Sequence, residues 1–230
     1  MDTIVVFIET HNQHANLVWS LEKLSIPYVH LYEGMSWVSY FDSLRIYSEG
    51  LKQLSNEWVL LSDARDVLFY KGLKDIHDIF IEHYSFADIV IQAEDTVVGC
   101  LPFRTTKLKR YSFGSQWYKY PCAGLIMGRR ITLIEFFDEL IEKTPDGWNV
   151  ADQPAIEWGM ANLTDYNIVL DSQCRIFQQM GMGSNSGVNF HLHFNREFIR
   201  NTHTNTEPCI FHGSGGSFLH PVWRIINGYY

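Results

Sequence analysis

Basic residues are scarce in this chain. Eighteen Lys and Arg stand against 26 Asp and Glu in 230 residues, a formal net charge of −8. A protein that grips nucleic acid through its phosphates needs a concentrated basic surface, and long-range attraction to anionic membranes needs the same. Composition therefore disfavours both partners. Long apolar runs are missing too, since nothing approaches the ~20 consecutive apolar residues of a membrane-spanning helix. The opening Met1-Asp2-Thr3 leads straight into a strand-like run, with no basic n-region of a signal peptide, so a cytoplasmic protein is expected. Cysteine is sparse: Cys100, Cys122, Cys174 and Cys209 form no CxxC pair, which removes support for a zinc knuckle or a thioredoxin-type redox site. Without a secretory signal they are expected to be reduced core thiols. GxSxG, P-loop, GxGxxG and HEXXH motifs are all absent.

What is present is ordinary globular material, 46% hydrophobic and 19% charged, enough for a sizeable core. The 15% aromatic content suits that core and also a cleft that stacks sugar or base rings. Thr3 to Glu9 is a continuous apolar, β-branched run that reads as a buried strand. A helix over Ala15 to Leu24, a strand over Tyr28 to Leu31, a helix from Tyr40 to Leu54 and a strand over Trp58 to Leu61 follow. Leu73 to His83 reads as a helix and Asp88 to Ala93 as a fourth strand. This alternation predicts an α/β fold, an open twisted sheet flanked by helices on both faces. Asp95 to Tyr120 is irregular and reads as a long functional loop. Beyond it a strand over Ala123 to Gly128, helices over Ile131 to Lys143 and Asp152 to Ala161, and late strands over Asn167 to Leu170 and Pro208 to Phe211 are expected. No internal repeat or linker interrupts residues 1–230, so one domain is expected.

Ligands of open α/β sheets bind beyond the carboxyl ends of the strands. The third strand ends there in Ser62-Asp63-Ala64-Arg65-Asp66. Two carboxylates three apart on leaving a strand can turn toward one point and hold a hard divalent cation; the bland alternative is a solvated turn with an Asp helix cap. With Glu94 ending the fourth strand, the pattern resembles the metal motif of GT-A glycosyltransferases. There Mn2+ or Mg2+ offsets the charge that builds on the departing nucleotide diphosphate.

A late strand ends in Cys209-Ile210-Phe211-His212-Gly213-Ser214-Gly215-Gly216. Its imidazole can complete a coordination sphere, and its glycines let backbone N–H groups approach phosphate. Ala151-Asp152-Gln153 opens a helix. Asp152 is either a dipole-favoured N-terminal acid or a group that accepts a hydrogen bond from a sugar hydroxyl. His11 and His14, and His191 and His193, carry ligand chemistry but have no third and fourth ligand nearby in sequence. Lys107 to Arg110, with Tyr111, Trp117 and Tyr118, is either a local nucleic-acid groove or a solvated loop.

Taken together, these segments resemble the glycosyltransferase domain of the procollagen lysyl hydroxylase/glucosyltransferase (PLOD) family nearly end to end. The match runs through Glu9-Thr10, Gly34-Met35-Ser36-Trp37, Leu61-Ser62-Asp63-Ala64-Arg65-Asp66-Val67-Leu68, Ala93-Glu94, Cys100-Leu101-Pro102, Ala123-Gly124-Leu125-Ile126-Met127-Gly128 and Asp152-Gln153. Its most specific pieces are Leu170-Asp171-Ser172-Gln173-Cys174-Arg175-Ile176-Phe177-Gln178 and Pro208 to Gly215.

The resemblance implies a GT-A-like fold and a Mn2+ (or Mg2+)-dependent hexosyltransferase. Such an enzyme moves glucose or galactose from a UDP-sugar donor to a hydroxyl acceptor: a hydroxylysine of a collagen-like protein, a glycan or another hydroxylated group. It assigns Asp63, Asp66 and His212 as metal ligands, Thr10, Trp37 and Arg65 to the nucleotide, Gly213 and Gly215 to the phosphate-side turn, and Asp152, as the catalytic residue, to a position near the donor sugar. Departures cluster near sugar and acceptor. Arg65 stands where the family has an aromatic, Leu101 replaces a Trp, Cys122 an Asn, and Ala151 an acid. The Leu101, Cys122 and Ala151 departures motivate one alternative, a non-catalytic nucleotide-sugar or glycan-binding module; a second, a transferase acting on a hydroxylated DNA base, draws on the basic stretch Lys107 to Arg110. Neither the accessory domain nor the iron-dependent hydroxylase follows, so a stand-alone transferase is expected.

Overall fold

The computed structural model describes residues 2–9, 15–32, 39–95, 117–180, 191–195, 198–213 and 219–229. In chain order the first elements are β1 (Thr3–Ile8), α1 (Ala15–Lys23), β2 (Tyr28–Leu31), α2 (Asp42–Leu51), β3 (Trp58–Ser62), β4 (Val67–Phe69), α3 (Leu73–Tyr84) and β5 (Ile89–Glu94). There follow β6 (Tyr120–Arg129), α4 (Arg130–Lys143), α5 (Asp152–Asn162), β7 (Ile168–Asp171), β8 (Phe177–Gln179), β9 (Leu192–Phe194), β10 (Ile199–Asn201), β11 (Ile210–His212) and α6 (His220–Ile226). Among the described residues no helix is long and apolar enough to cross a membrane.

Six strands form the main sheet in the order β2-β1-β3-β6-β5-β7. All run parallel except β6, which is antiparallel to both β3 and β5. The architecture is a mixed α/β, GT-A-like open sheet. Every residue of β3 and β5 is buried, as expected for strands covered on both faces. Under one face Val5, Phe7, Leu60 and Val90 pack with Leu17, Leu21, Ile76 and Phe80 of α1 and α3. On the other, Val6, Leu61 and Ile91 pack with Leu44, Leu51, Phe136, Phe137, Leu140 and Ile156 of α2, α4 and α5. Leu133, Ile134, Phe136, Phe137 and Leu140 are the buried residues of α4, the spacing of a helix with one apolar face.

Two details of pairing bring distant residues to the rim of this sheet. A small second sheet, β4-β11-β8, sets His212 beside Val67 and Gln179, next to the turn that joins β3 to β4. The β5–β6 ladder also breaks register between Ile91 and Gln92: Ile91 faces Ile126, but Gln92 faces Cys122. Such irregularities re-aim side chains near sites, and here the displaced residues are those that surround His212.

The long elements lie where periodicity placed them, within a few residues. Three-residue strands β4, β8, β9 and β10 and the seven-residue α6 were not expected, because runs this short carry no readable period. Tyr118 does not line a groove: it is 2% exposed, and Asn201 Nδ2 donates to its hydroxyl at 2.8 Å. Cys122, Cys174 and Cys209 are buried free thiols, as expected; Cys100 and Lys107 to Arg110 lie outside the described residues.

Candidate metal and donor site

Asp63 and Asp66 sit on the turn that leaves β3. The turn is pinned at both ends: the Asp63 N–H donates to Gly124 O at 2.8 Å, and the Gly213 N–H donates to Asp66 O at 2.7 Å. His212, at the end of β11, enters from the other side. Its Nε2 lies 3.2 Å from Asp63 Oδ2 and 3.6 Å from Asp66 Oδ1. One ligand atom from each of the three side chains falls within 4.8 Å of the others. The imidazole is 2% exposed, Asp66 23% and Asp63 55%, so the cluster is anchored at its base and open at its mouth.

The back of the imidazole is occupied. His212 Nδ1 lies 2.7 Å from Gln92 Oε1 and 3.7 Å from Cys122 Sγ. An N–H on Nδ1 donated to Gln92 leaves the Nε2 lone pair facing the two carboxylates, the tautomer a metal ligand needs. Gly124 makes room: a Cβ there would overlap the His212 ring, 2.7 Å from Nδ1, and stand 2.8 Å from Asp63 Oδ2. A glycine inside an apolar strand is the signature of such a close approach. It was the one sequence signal that pointed to this residue.

Electrostatics agree with the geometry. Burial alone disfavours the imidazolium, yet Cys122 and the Asp63 and Asp66 carboxylates together hold the His212 pKa well above its ordinary value. Burial also pushes the Cys122 thiol up, and the two carboxylates favour a proton on His212 Nε2. A bound divalent cation would take the place of that proton. Two carboxylates and one imidazole, with an open side toward solvent, fit Mn2+ or Mg2+.

Asp152 opens α5 on the opposite side of the cleft. Its Oδ1 accepts from the Gln153 N–H at 2.7 Å and its Oδ2 lies 3.1 Å from the Ser43 hydroxyl. Burial, then the charge of Asp63, pushes its carboxyl up to about 7. Tyr47, whose phenol is raised by burial and then by Asp63 and Asp152, stands close to both acids. Asp152 therefore faces Asp63 without joining the three-residue cluster. Gln153 Nε2 donates to Glu94 Oε1 at 2.7 Å, which ties the helix start to the end of β5; Glu94 acts here as an anchor and is not part of the cluster.

Arg65, between the two clustered aspartates, is paired to Glu9: Nε to Oε2 at 2.8 Å and Nη2 to Oε1 at 3.3 Å. Glu9 is 3% exposed and Arg65 54%, so the guanidinium edge is fixed by a buried carboxylate while its side chain borders the cleft. Thr10, Trp37 and Gly215, and also His11, His14 and Leu101, lie outside the described residues. His191 and His193 are not in the cluster: the His191 ring lies against that of His203 and the His193 ring against that of Phe198, both pairs tilted.

The distinctive Leu-Asp-x-x-x-Arg-Ile-Phe-Gln string has a structural task. Asp171 accepts hydrogen bonds from the Tyr84 hydroxyl and from the backbone N–H groups of Arg175, Ile176 and Phe177, all at 2.6 to 2.8 Å. These bonds hold a tight turn in which Cys174 takes a left-handed φ of 48°. They launch β8, the strand that pairs with β11 and thereby sets His212.

No curated protein sequence matches the chain. Among solved structures, a glycosyltransferase involved in the glycosylation of the major capsid of PBCV-1 aligns over 99% of this chain and 98% of its own, at TM-score 0.53 and 10% identity; that likeness is one of fold. A197 from STIV aligns over 75% and 82% of the two chains (TM-score 0.46, 15% identity). A putative glucose-1-phosphate thymidylyltransferase from Bacillus anthracis aligns over 74% and 86% (TM-score 0.44, 10% identity). The family model described as the PLOD GT domain matches residues 42–221, which include Asp63, Asp66, Asp152, Asp171 and His212. The chain belongs to the PLOD glycosyltransferase-domain family.

Proposed function

We propose that this glycosyltransferase-family chain moves a hexose, glucose or galactose, from a UDP-sugar to an acceptor hydroxyl with the help of Mn2+ or Mg2+. The observation that carries the reading is the convergence of Asp63, Asp66 and His212 donor atoms within 4.8 Å at the carboxyl end of β3. These three residues would hold the ion. When bound, it supplies charge that offsets the negative charge developing on the leaving diphosphate.

The chain's own residues do the rest. Gln92 fixes the tautomer and orientation of His212. The Gly213 N–H, committed to Asp66 O, keeps the aspartate turn in place, while Gly215 and Thr10 are assigned to the phosphate and nucleotide by the family pattern. The same pattern assigns Trp37 to the nucleotide, and the Glu9-paired Arg65 stands at the position that meets the base. Asp152, beside Ser43 and recessed opposite Asp63, orients the transferring sugar through its hydroxyls.

Incubation with UDP-glucose or UDP-galactose and Mn2+, read as UDP release, tests the reading. Wild type is expected to release UDP, and Asp66→Ala to lose both release and Mn2+-dependent UDP binding. Asp152→Ala is expected to bind UDP-Mn2+ and fail in transfer. Binding without release from wild type, with every hydroxyl acceptor and with water, would make the chain a nucleotide-sugar binding module instead.

A further inference from the structure

Beyond the donor side, an exposed ring cluster stands at the same rim. Trp117 is 46% exposed. Its ring lies 4.1 Å from that of His203, which lies 3.4 Å from His191. These rings contribute nothing to the three buried cores, yet their support is costly in polar contacts. Buried Asn201 satisfies all its valences: Nδ2 donates to Tyr118 OH and Gln178 Oε1, and Oδ1 accepts from the N–H groups of His203 and Thr204. The Thr202 N–H and hydroxyl both donate to His191 O. The turn that carries His203 is thus locked to the residue before it and to His191.

The location follows from the backbone. Two residues after Trp117, the Lys119 N–H donates to Glu94 O at 3.1 Å, and Glu94 is the anchor of Gln153 beside Asp152. Asp95, next in chain, is close enough to act electrostatically on His191 and Tyr118. A flat indole face with imidazole edges and a carboxylate at its border is what a pyranose ring uses: its C–H face lies on the aromatic and its hydroxyls meet the polar rim. Burial and then His203 keep His191 below its ordinary pKa.

We propose that Trp117, backed by His203 and His191, is a pyranose-binding platform that seats a saccharide acceptor beside the transfer site. The acceptor role rests on the transferase reading above; the binding of a sugar ring does not. Saturation-transfer NMR of the full chain with methyl glucoside, methyl galactoside and methyl mannoside tests it. At least one glycoside is expected to bind wild type and Asp66→Ala alike, and to bind Trp117→Ala at least 10-fold more weakly. Trp117→Phe and His203→Phe are expected to retain most of the binding, and His203→Ala to lose part of it. Unchanged Mn2+-dependent UDP binding by Trp117→Ala reports an intact fold; if that variant does not fold, His203→Ala against His203→Phe gives the same comparison. No glycoside bound by wild type, or equal binding by the Trp117→Ala and His203→Ala variants, overturns the platform. Absence of UDP release from wild type overturns the transferase reading and leaves glycoside binding to be scored separately.

Discussion

Gln92 and His212, far apart in sequence, meet with Gln92 Oε1 2.7 Å from His212 Nδ1. The contact lies where the β5–β6 ladder breaks register, which sets Cys122 rather than Leu125 opposite Gln92. Outer groups of this kind set the basicity and tautomer of a ligating imidazole.

Removing that acceptor while keeping bulk should weaken the ion and spare the fold. Gln92→Leu is expected to lower Mn2+ affinity by about 10- to 100-fold, the usual effect of losing such a partner, with a Tm close to wild type. Electron paramagnetic resonance of free Mn2+ checks the affinity and calorimetry checks the fold. Equal Mn2+ affinity in wild type and Gln92→Leu would show that Gln92 does not orient His212.

Gly124→Ala is the steric counterpart. The added methyl meets the His212 ring and Asp63 Oδ2; the half-exposed carboxylate can turn away, but the ring cannot withdraw, because it is backed by Gln92 and Cys122. A cost of about 1–3 kcal/mol is expected, the usual range for overpacking, together with loss of Mn2+ binding. A variant with wild-type stability and affinity would contradict the observed approach.

The raised Asp152 carboxyl makes a pH prediction for the metal-free chain. Its folded pKa is about 7 against about 3.9 unfolded. The folded state therefore binds the proton more tightly, and this contribution to stability is full below about pH 4 and lost as pH rises through about 7. The His212 shift has the same sign. With chelator present, Asp152→Asn is expected to flatten the fall in unfolding free energy between pH 5 and pH 8, by an amount on the order of a few kcal/mol at most, as read from melts across that range. An unchanged pH profile would mean that Asp152 is charged throughout.

Asp171 tests the structural reading of the family's most distinctive string. An amide at this position turns its NH2 toward two of the four donors that face the carboxylate. Asp171→Asn is expected to cost about 2–4 kcal/mol, or roughly 5–15 °C in Tm for a chain of this size. Mn2+ affinity falls only as far as β8 fails to set β11. Thermal melts and Mn2+ titration separate the two effects. Wild-type stability would assign Asp171 to ligand binding instead.

Much of this was legible in the residues. The apolar runs of β1, β3 and β5 and the helical spacing of α4 announce an open α/β sheet, and the end of β3 puts Asp63 and Asp66 where such sheets bind ligands. His212 was legible as a possible ligand at the end of a late strand, but its approach to the two aspartates was not, because it depends on pairing between three-residue strands too short to have a period. Gln92 was invisible: nothing in Ile-Gln-Ala-Glu reveals a ladder irregularity, and its partner is distant in sequence. Asp171 was legible as part of a pattern but not as a task, since its hydrogen-bond partners are backbone groups that any sequence supplies.

The account depends most on one ion between three side chains. Anomalous diffraction at the manganese edge from a crystal grown with Mn2+ and UDP tests it directly. The predicted result is one strong peak in contact with Asp63, Asp66 and His212 Nε2, with the UDP phosphates on its open side. Manganese bound elsewhere, or UDP seated with no ion between those residues, would contradict it.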